Sequence, residues 1–403
     1  MTASIRESLR RDAGAEQHTT TLELFYDLVF VFAVTQVSHL LLGNLTWKGA
    51  AQAALVLLVV WWSWNYTTWV TNELDPESII VRLLLIALML ATLLMAIAIP
   101  HAFGEDALLF VSCYVAIQVG RHMFLTYVAA EHGTIERQRA ARILAWFVAA
   151  GVLWIAGGIV DGTARTVLWL TALALDYGAP LVTYRIPGRP LISPDAWEVG
   201  TGHFAERFQL FIIIALGETI VITGATTSEL DLTAAVLVAF GFAFLSTAAL
   251  WWLYFNLVAT IAERRLAQAT NRTLMARDAY TYLHVVIVAG ILLAAVGDEI
   301  VIAHPTSELS NAELVVLACG PALYLLAHVL LRLRMTGTIA ERRLIGAFAC
   351  LAVGLIGLVV PALVVAGLLV AVLVAVIVTD QIAGARRRQR GESSPLERVA
   401  AAD

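Results

Sequence analysis

A hydrocarbon core of about 30 Å takes roughly 20 helical residues to cross, and apolar runs of that length fall in two sets of six along the chain. The first set lies at 22–42, 50–70, 79–100, 107–129, 141–160 and 165–183. The second lies at 205–224, 232–258, 278–297, 312–332, 343–360 and 361–379. Only a short break around Gly357 and Pro361 divides the last two. The runs are continuous and do not alternate in polarity, which excludes membrane β-strands. The pattern predicts an all-α integral membrane protein with about twelve transmembrane helices. Residues 1–20 form a polar N-terminal segment, and 381–403 a basic tail expected to be disordered.

Composition strengthens this reading. Hydrophobic residues make up 60% of the chain and charged residues 14%, against roughly 45–50% and about 25% in soluble domains. The net charge of −5 names no partner, but the placement of the charges is informative. One set of loops holds Arg6, Arg10 and Arg11; Arg82; Arg137, Arg139 and Arg142; Arg185 and Arg189. It continues with Arg264, Arg265, Arg272 and Arg277; Arg332, Arg334, Arg342 and Arg343; and Arg386, Arg387, Arg388 and Arg390. The alternate loops are neutral to acidic, with Lys48 and Arg165 as their only cations. By the positive-inside rule both termini are expected in the cytoplasm. The arginines beside the last span are expected to meet anionic lipid of the bilayer, not nucleic acid.

The halves also echo each other in order. Glu23-Leu-Phe matches Glu206-Arg-Phe, Trp61-Trp62 matches Trp251-Trp252, and Arg82 matches Arg277. Cys113 and His122 match Cys319 and His328, and the run from Gly133 matches the run from Gly337. The offsets are 183, 190, 195, 206 and 204, as small loop insertions would produce. An even number of helices per half makes the repeat parallel: two six-helix repeats at 21–190 and 200–380.

Ionisable side chains at bilayer depth are costly and mark pairs, cavities or relays. Glu23 and Asp27 are four apart, so both carboxylates share one helical face. They fit either a pairing role with arginine or a direct role in binding a proton or substrate. His203, Glu206 and Arg207 cluster at the start of the seventh span. Glu218, on the same face as Arg207 but about 16 Å further along the helix, lies deepest in an apolar run and is the leading single candidate. Arg121, His122 and His328 are expected to snorkel to the interface. Asp176 and Asp278 could be counter-ions to Arg82, Arg121 or Arg207, and the sequence does not choose among these pairs. Trp61, Trp62, Trp251 and Trp252 could line a pocket for an apolar or cationic ligand, although aromatic belts and helix packing commonly use the same residues.

The three cysteines, Cys113, Cys319 and Cys350, sit inside apolar runs and suggest no metal site. No P-loop, GxGxxG, HExxH, GxSxG or Asp-rich diphosphate motif is present, so no cofactor or ATP-driven step is indicated and no catalytic residue is singled out.

The runs TLELFYDLVFVFAVTQVSHLL and HFAERFQLFIIIALGETIVITGA resemble the two most recognisable segments of the bacterial low temperature requirement A family. The resemblance covers roughly residues 20–380 and implies a multi-pass inner-membrane protein of bacteria. It implies that Glu23, Asp27, His203, Glu206, Arg207 and Glu218 match the family's characteristic polar positions, and it carries no settled chemistry. Three functions are therefore carried forward. The first is a secondary transporter, expected to be proton-coupled, moving a small molecule or ion. The second is a membrane-embedded enzyme acting on a lipid or isoprenoid through a buried carboxylic acid. The third is a structural or regulatory membrane protein linked to growth in the cold.

Overall fold

Backbone N–H and C=O groups find no water in hydrocarbon, so an apolar chain satisfies them internally by forming helices. The computed structural model, which describes residues 6, 8–11, 18–194, 197 and 199–391, is built in this way. Among the described residues it contains no strand, and a single isolated bridge joins Arg10 to Leu74. Helices occupy all twelve expected positions. They are α1 (Thr21–Leu42), α2 (Trp47–Thr71), α3 (Ile79–His101), α4 (Ala107–Ala129), α5 (Ile135–Ile159) and α6 (Gly162–Gly178). The second set is α7 (Thr201–Ser228), α8 (Ala234–Gln268), α9 (Arg272–Ala303), α10 (Asn311–Thr336), α11 (Glu341–Val359) and α12 (Ala362–Gln389).

Ten of these helices are long and apolar enough to cross a membrane. The others are α6, with 17 residues, and α2, whose second half reads WWSWNYTTWVT. The serine, asparagine and threonines of α2 lower its hydropathy, and one of them, Thr67, serves a polar network described below. The protein is an all-α integral membrane protein.

Local signals set the helix ends. The Thr134 side chain accepts from the Arg137 N–H at the start of α5. Ser310 and Glu313 form a reciprocal capping box at the start of α10. Short π-helical stretches interrupt α4 at Leu125–Ala129, α8 at Tyr254–Val258 and α9 at Ala276–Tyr282. Several boundaries differ from expectation by five residues or more, among them the start of α5 and the ends of α6 and α8. Helix α9 continues to Ala303 instead of ending at 297, because Asp298 and Glu299 interrupt the apolar pattern for less than a turn before Ile300-Val301-Ile302 resumes it. Helix α12 continues through Gln389, so the basic residues from 386 begin on helix, and 392–403 lie outside the described residues.

The chain divides into two compact units, Met1–Leu40 with Ala51–Arg207, and Leu41–Ala50 with Phe208–Asp403. In the first, α3 packs on α4, α4 on α5 and α5 on α6. In the second, α9 packs on α10, α10 on α11 and α11 on α12, while α8 packs on both α9 and α12. The α9–α10 contact is backbone to backbone. A Cβ added at Gly320 would lie 2.5 Å from the Ala294 nitrogen, and one at Gly290 would lie 2.7 Å from the Tyr324 nitrogen. Lipid supplies no hydrophobic drive between helices, so small residues that allow this approach take its place.

Candidate functional site

The first unit gathers four of the residues singled out in the sequence. Thr20 and Glu23 form a capping box at the start of α1. The Thr20 N–H donates to Glu23 Oε2 at 2.9 Å, and Thr20 Oγ1 accepts from the Glu23 N–H at 3.4 Å. This local motif, T-x-x-E in sequence, aims the Glu23 carboxylate back over the helix start. Arg11 of the N-terminal segment then donates from Nη2 to Glu23 Oε2 at 2.9 Å. Glu23 Oε1 lies 2.9 Å from His203 Nε2 and 2.9 Å from Arg207 Nη1. One turn along α1, Asp27 Oδ1 accepts from Arg207 Nη2 at 2.5 Å and from Trp64 Nε1 at 2.7 Å. Glu23, Asp27 and Arg207 are each 0% exposed and His203 is 1% exposed.

The tautomer of His203 follows from its neighbours. Asn72 Oδ1 accepts from the Gly200 N–H at 2.9 Å, which orients the amide. Asn72 Nδ2 then donates to the Gly200 carbonyl and to His203 Nδ1, each at 3.1 Å. Nδ1 is therefore an acceptor and Nε2 carries the hydrogen shared with Glu23, with Arg11 Nη2, itself a donor, 3.0 Å from the same nitrogen. With the imidazole neutral, two carboxylates meet two guanidiniums and the cluster carries no net charge. Asp27 Oδ2 is buried without a hydrogen-bond partner.

A second line of polar contacts starts beside this cluster. Tyr26 donates to Thr67 Oγ1 at 2.6 Å, and Thr67 Oγ1 accepts from Arg121 Nη1 at 2.8 Å. Arg121 also donates to the Ser63 carbonyl at 3.1 Å and to Gln118 Oε1. Gln118 Nε2 donates to Tyr114 Oη at 3.2 Å, and Tyr114 donates to Asp176 Oδ2 at 2.7 Å. Trp154 Nε1 gives Asp176 a further bond at 2.9 Å. The line thus runs from α1 through α2 and α4 to α6.

Several expectations are corrected. Arg121 and His122 do not snorkel: they are 0% and 1% exposed, and neutral acceptors on α2 and α4 meet both Nη atoms of the guanidinium inside the unit, while its Nε has no hydrogen-bond partner among the described residues. His328 is likewise buried and meets Arg343 Nη1 at 2.8 Å. Asp176 takes its hydrogen bonds from a phenol and an indole, not from an arginine. Asp278 pairs with Arg277 and Arg334, at 2.7 and 2.8 Å, not with Arg82, Arg121 or Arg207. Glu206 is partly exposed and accepts from the Thr19 N–H at 2.9 Å. Glu218 is partly exposed and lies in the second unit, three turns along α7 from Arg207.

The two tryptophan pairs also part company. Trp61 and Trp62 are 2% and 0% exposed, and Trp62 stacks on Tyr177 at 3.8 Å between ring centroids. Trp251 and Trp252 are 46% and 44% exposed on α8. The first pair is packing core and the second is an outward-facing surface. Residues of the site to which the sequence reading assigned no site role are Arg11 and Asn72. The capping box was the one local signal that pointed to Glu23 as a structural anchor.

A family described as bacterial low temperature requirement A protein matches residues 18–378. An uncharacterized protein of Rhizobium meliloti (strain 1021) is 37% identical over 321 residues, which is 79% of this chain and 78% of that protein. No solved structure matches. The matched region begins at the segment that caps α1 and carries both the carboxylates of α1 and the His203–Arg207 turn of α7, so the chain belongs to the bacterial low temperature requirement A family.

Proposed function

We propose that the protein is a proton-coupled secondary transporter of the bacterial inner membrane, with both termini in the cytoplasm and the Glu23–Asp27–His203–Arg207 cluster as its coupling element. The observation that carries this reading is the buried, charge-balanced cluster with one carboxylate oxygen, Asp27 Oδ2, left unsatisfied. A further proton has one favourable place to go. On His203 it would have to sit on Nδ1, where Asn72 already donates. On Asp27 Oδ2 it breaks no existing bond. Protonation there neutralises the carboxylate, weakens its hold on Arg207 Nη2 and leaves Glu23 as the anion facing that guanidinium. The contact between α1 and the start of α7 thereby becomes dependent on one proton, as a coupled conformational cycle requires. The parallel duplication belongs to the same reading, since repeats in transporters frame a site and allow alternating access.

Liposomes holding the purified protein and a pH-sensitive dye provide the test. Supplied with a panel of small organic ions, the wild type is expected to move protons together with one of them, and Asp27→Asn to lose the proton movement. Solute flux with unchanged proton movement in Asp27→Asn overturns the role of Asp27. Normal flux in Glu218→Gln would remove that residue from the mechanism. A second reading draws on the pairing itself: two guanidiniums matched to two carboxylates suit a static lock between α1, α2 and the start of α7. A wild type that moves neither protons nor solute would favour the lock.

A further inference from the structure

Helix α9 carries a carboxylate that the sequence pattern assigned to a loop. Asp298 lies five residues before the end of α9, about 8 Å of helical rise. It is 7% exposed and has no hydrogen bond or ion pair among the described residues. It lines a small cavity of about 10 Å³. That is room for about one water-sized occupant, far below the roughly 300–1,000 Å³ of pockets for organic ligands, so the occupant is a single ion or a proton.

The other polar side chain at this cavity carries a hydroxyl. Ser246 of α8 lines it, is 8% exposed, and has no hydrogen bond among the described residues. Pro321 of α10 also lines it, together with Leu317 one turn earlier. Proline has no N–H, so the Leu317 carbonyl loses its helical donor and keeps a free acceptor. The backbones are close at this level: a Cβ added at Gly297, beside Asp298, would lie 2.9 Å from Leu317 Cα. The remaining wall is apolar, with Phe242 from α8 and Ala366, Leu369 and Val370 from α12. No other titratable or charged side chain from α8, α10 or α12 lines the cavity, and none acts electrostatically on Asp298.

We infer that Asp298, Ser246 and the Leu317 carbonyl form a binding site for one monovalent cation, Na⁺ or a proton. A carboxylate, a hydroxyl and a carbonyl released from its helix make an oxygen-only set, which suits hard cations. Carbonyls freed by an interrupted helix serve Na⁺ and protons in this way inside membranes. The site carries one negative charge in apolar walls, so one positive charge neutralises it and a second would be left uncompensated. Na⁺ would bridge the three oxygens. A proton would form an O–H bond on Asp298 and be shared with the serine or the carbonyl.

The site is independent of the Asp27 cluster, and its readout is binding, so failure of the transport assay leaves it standing. Thermal unfolding of the full-length protein in detergent is measured while NaCl replaces choline chloride, at acidic and at alkaline pH. For Na⁺, the unfolding temperature rises saturably, most at alkaline pH, and Asp298→Asn removes the rise. Ser246→Ala and Pro321→Ala, which keep the carboxylate and guard against misfolding of Asp298→Asn, are each expected to raise half-saturating Na⁺ by about tenfold. For a proton, Na⁺ has no effect, and acidification stabilises the wild type but not Asp298→Asn. A wild type that ignores both Na⁺ and pH, or that responds as Asp298→Asn does, overturns the inference.

Discussion

Asp27 and Asp298 are both buried carboxylates on membrane-depth helices, and their surroundings are opposite. In the first unit, Asp27 is held by Arg207 and Trp64, and Glu23 beside it by Arg11, His203 and Arg207. In the second, Asp298 faces a small cavity and has no cation among the described residues. A paired acid in low dielectric binds helices together. An unpaired one is a demand for a ligand. The same residue type at similar burial therefore supports coupling through pairing in one unit and cation capture in the other.

The largest expected effect breaks the first side of this comparison. Arg207→Met leaves Glu23 and Asp27 buried with one guanidinium fewer and is expected to cost about 3–5 kcal/mol, as removing one partner of a buried pair does. Denaturant unfolding in detergent measures it, and addition of Asp27→Asn is expected to restore part of the loss. Asp27→Asn alone keeps an acceptor for Trp64 but loses its charge-assisted bond to Arg207, for about 1.5–3 kcal/mol. Gly320→Ala probes the α9–α10 contact beside the Asp298 cavity. It is expected to cost about 1–3 kcal/mol, since the new Cβ meets backbone that cannot yield. The smallest effect is the sharpest contrast. Without Na⁺, Asp298→Asn is expected to stay within about 0.5 kcal/mol of wild type or to gain stability, because no protein partner is lost. If Asp298→Asn costs as much as Asp27→Asn under these conditions, the contrast between the two acids fails.

Much of the architecture was legible before any coordinates. All twelve helices lie where apolar runs predicted them, and the break between α11 and α12 falls at Gly357–Val359 and Pro361. The site was legible in part. Glu23, Asp27, His203 and Arg207 stood out because each is expensive in lipid, and they do converge. Glu218 stood out for the same reason but is partly exposed and lies in the second unit, because depth along one helix does not say which way a side chain faces. Arg121 was placed at the interface and Asp176 offered as a counter-ion on charge alone, whereas the structure surrounds them with a hydroxyl, a carbonyl, an amide, a phenol and an indole. Asp298 was missed because an acidic dipeptide near a helix end reads as a loop, although the helix needs only one more turn of apolar residues to continue.

Hydrophobic length and arginine placement depend on the chain's transfer between water and lipid, a property that each segment has by itself. They determined the helical class, the spans and the expected orientation. Which acids found cations, which tryptophans became core, and which carbonyl lost its donor beside a lone carboxylate depend on side chains brought together from helices far apart in sequence. Only tertiary packing decides these, because a buried charge is stabilised by what stands within a few ångströms of it, and one-dimensional spacing fixes that distance only along a single helix.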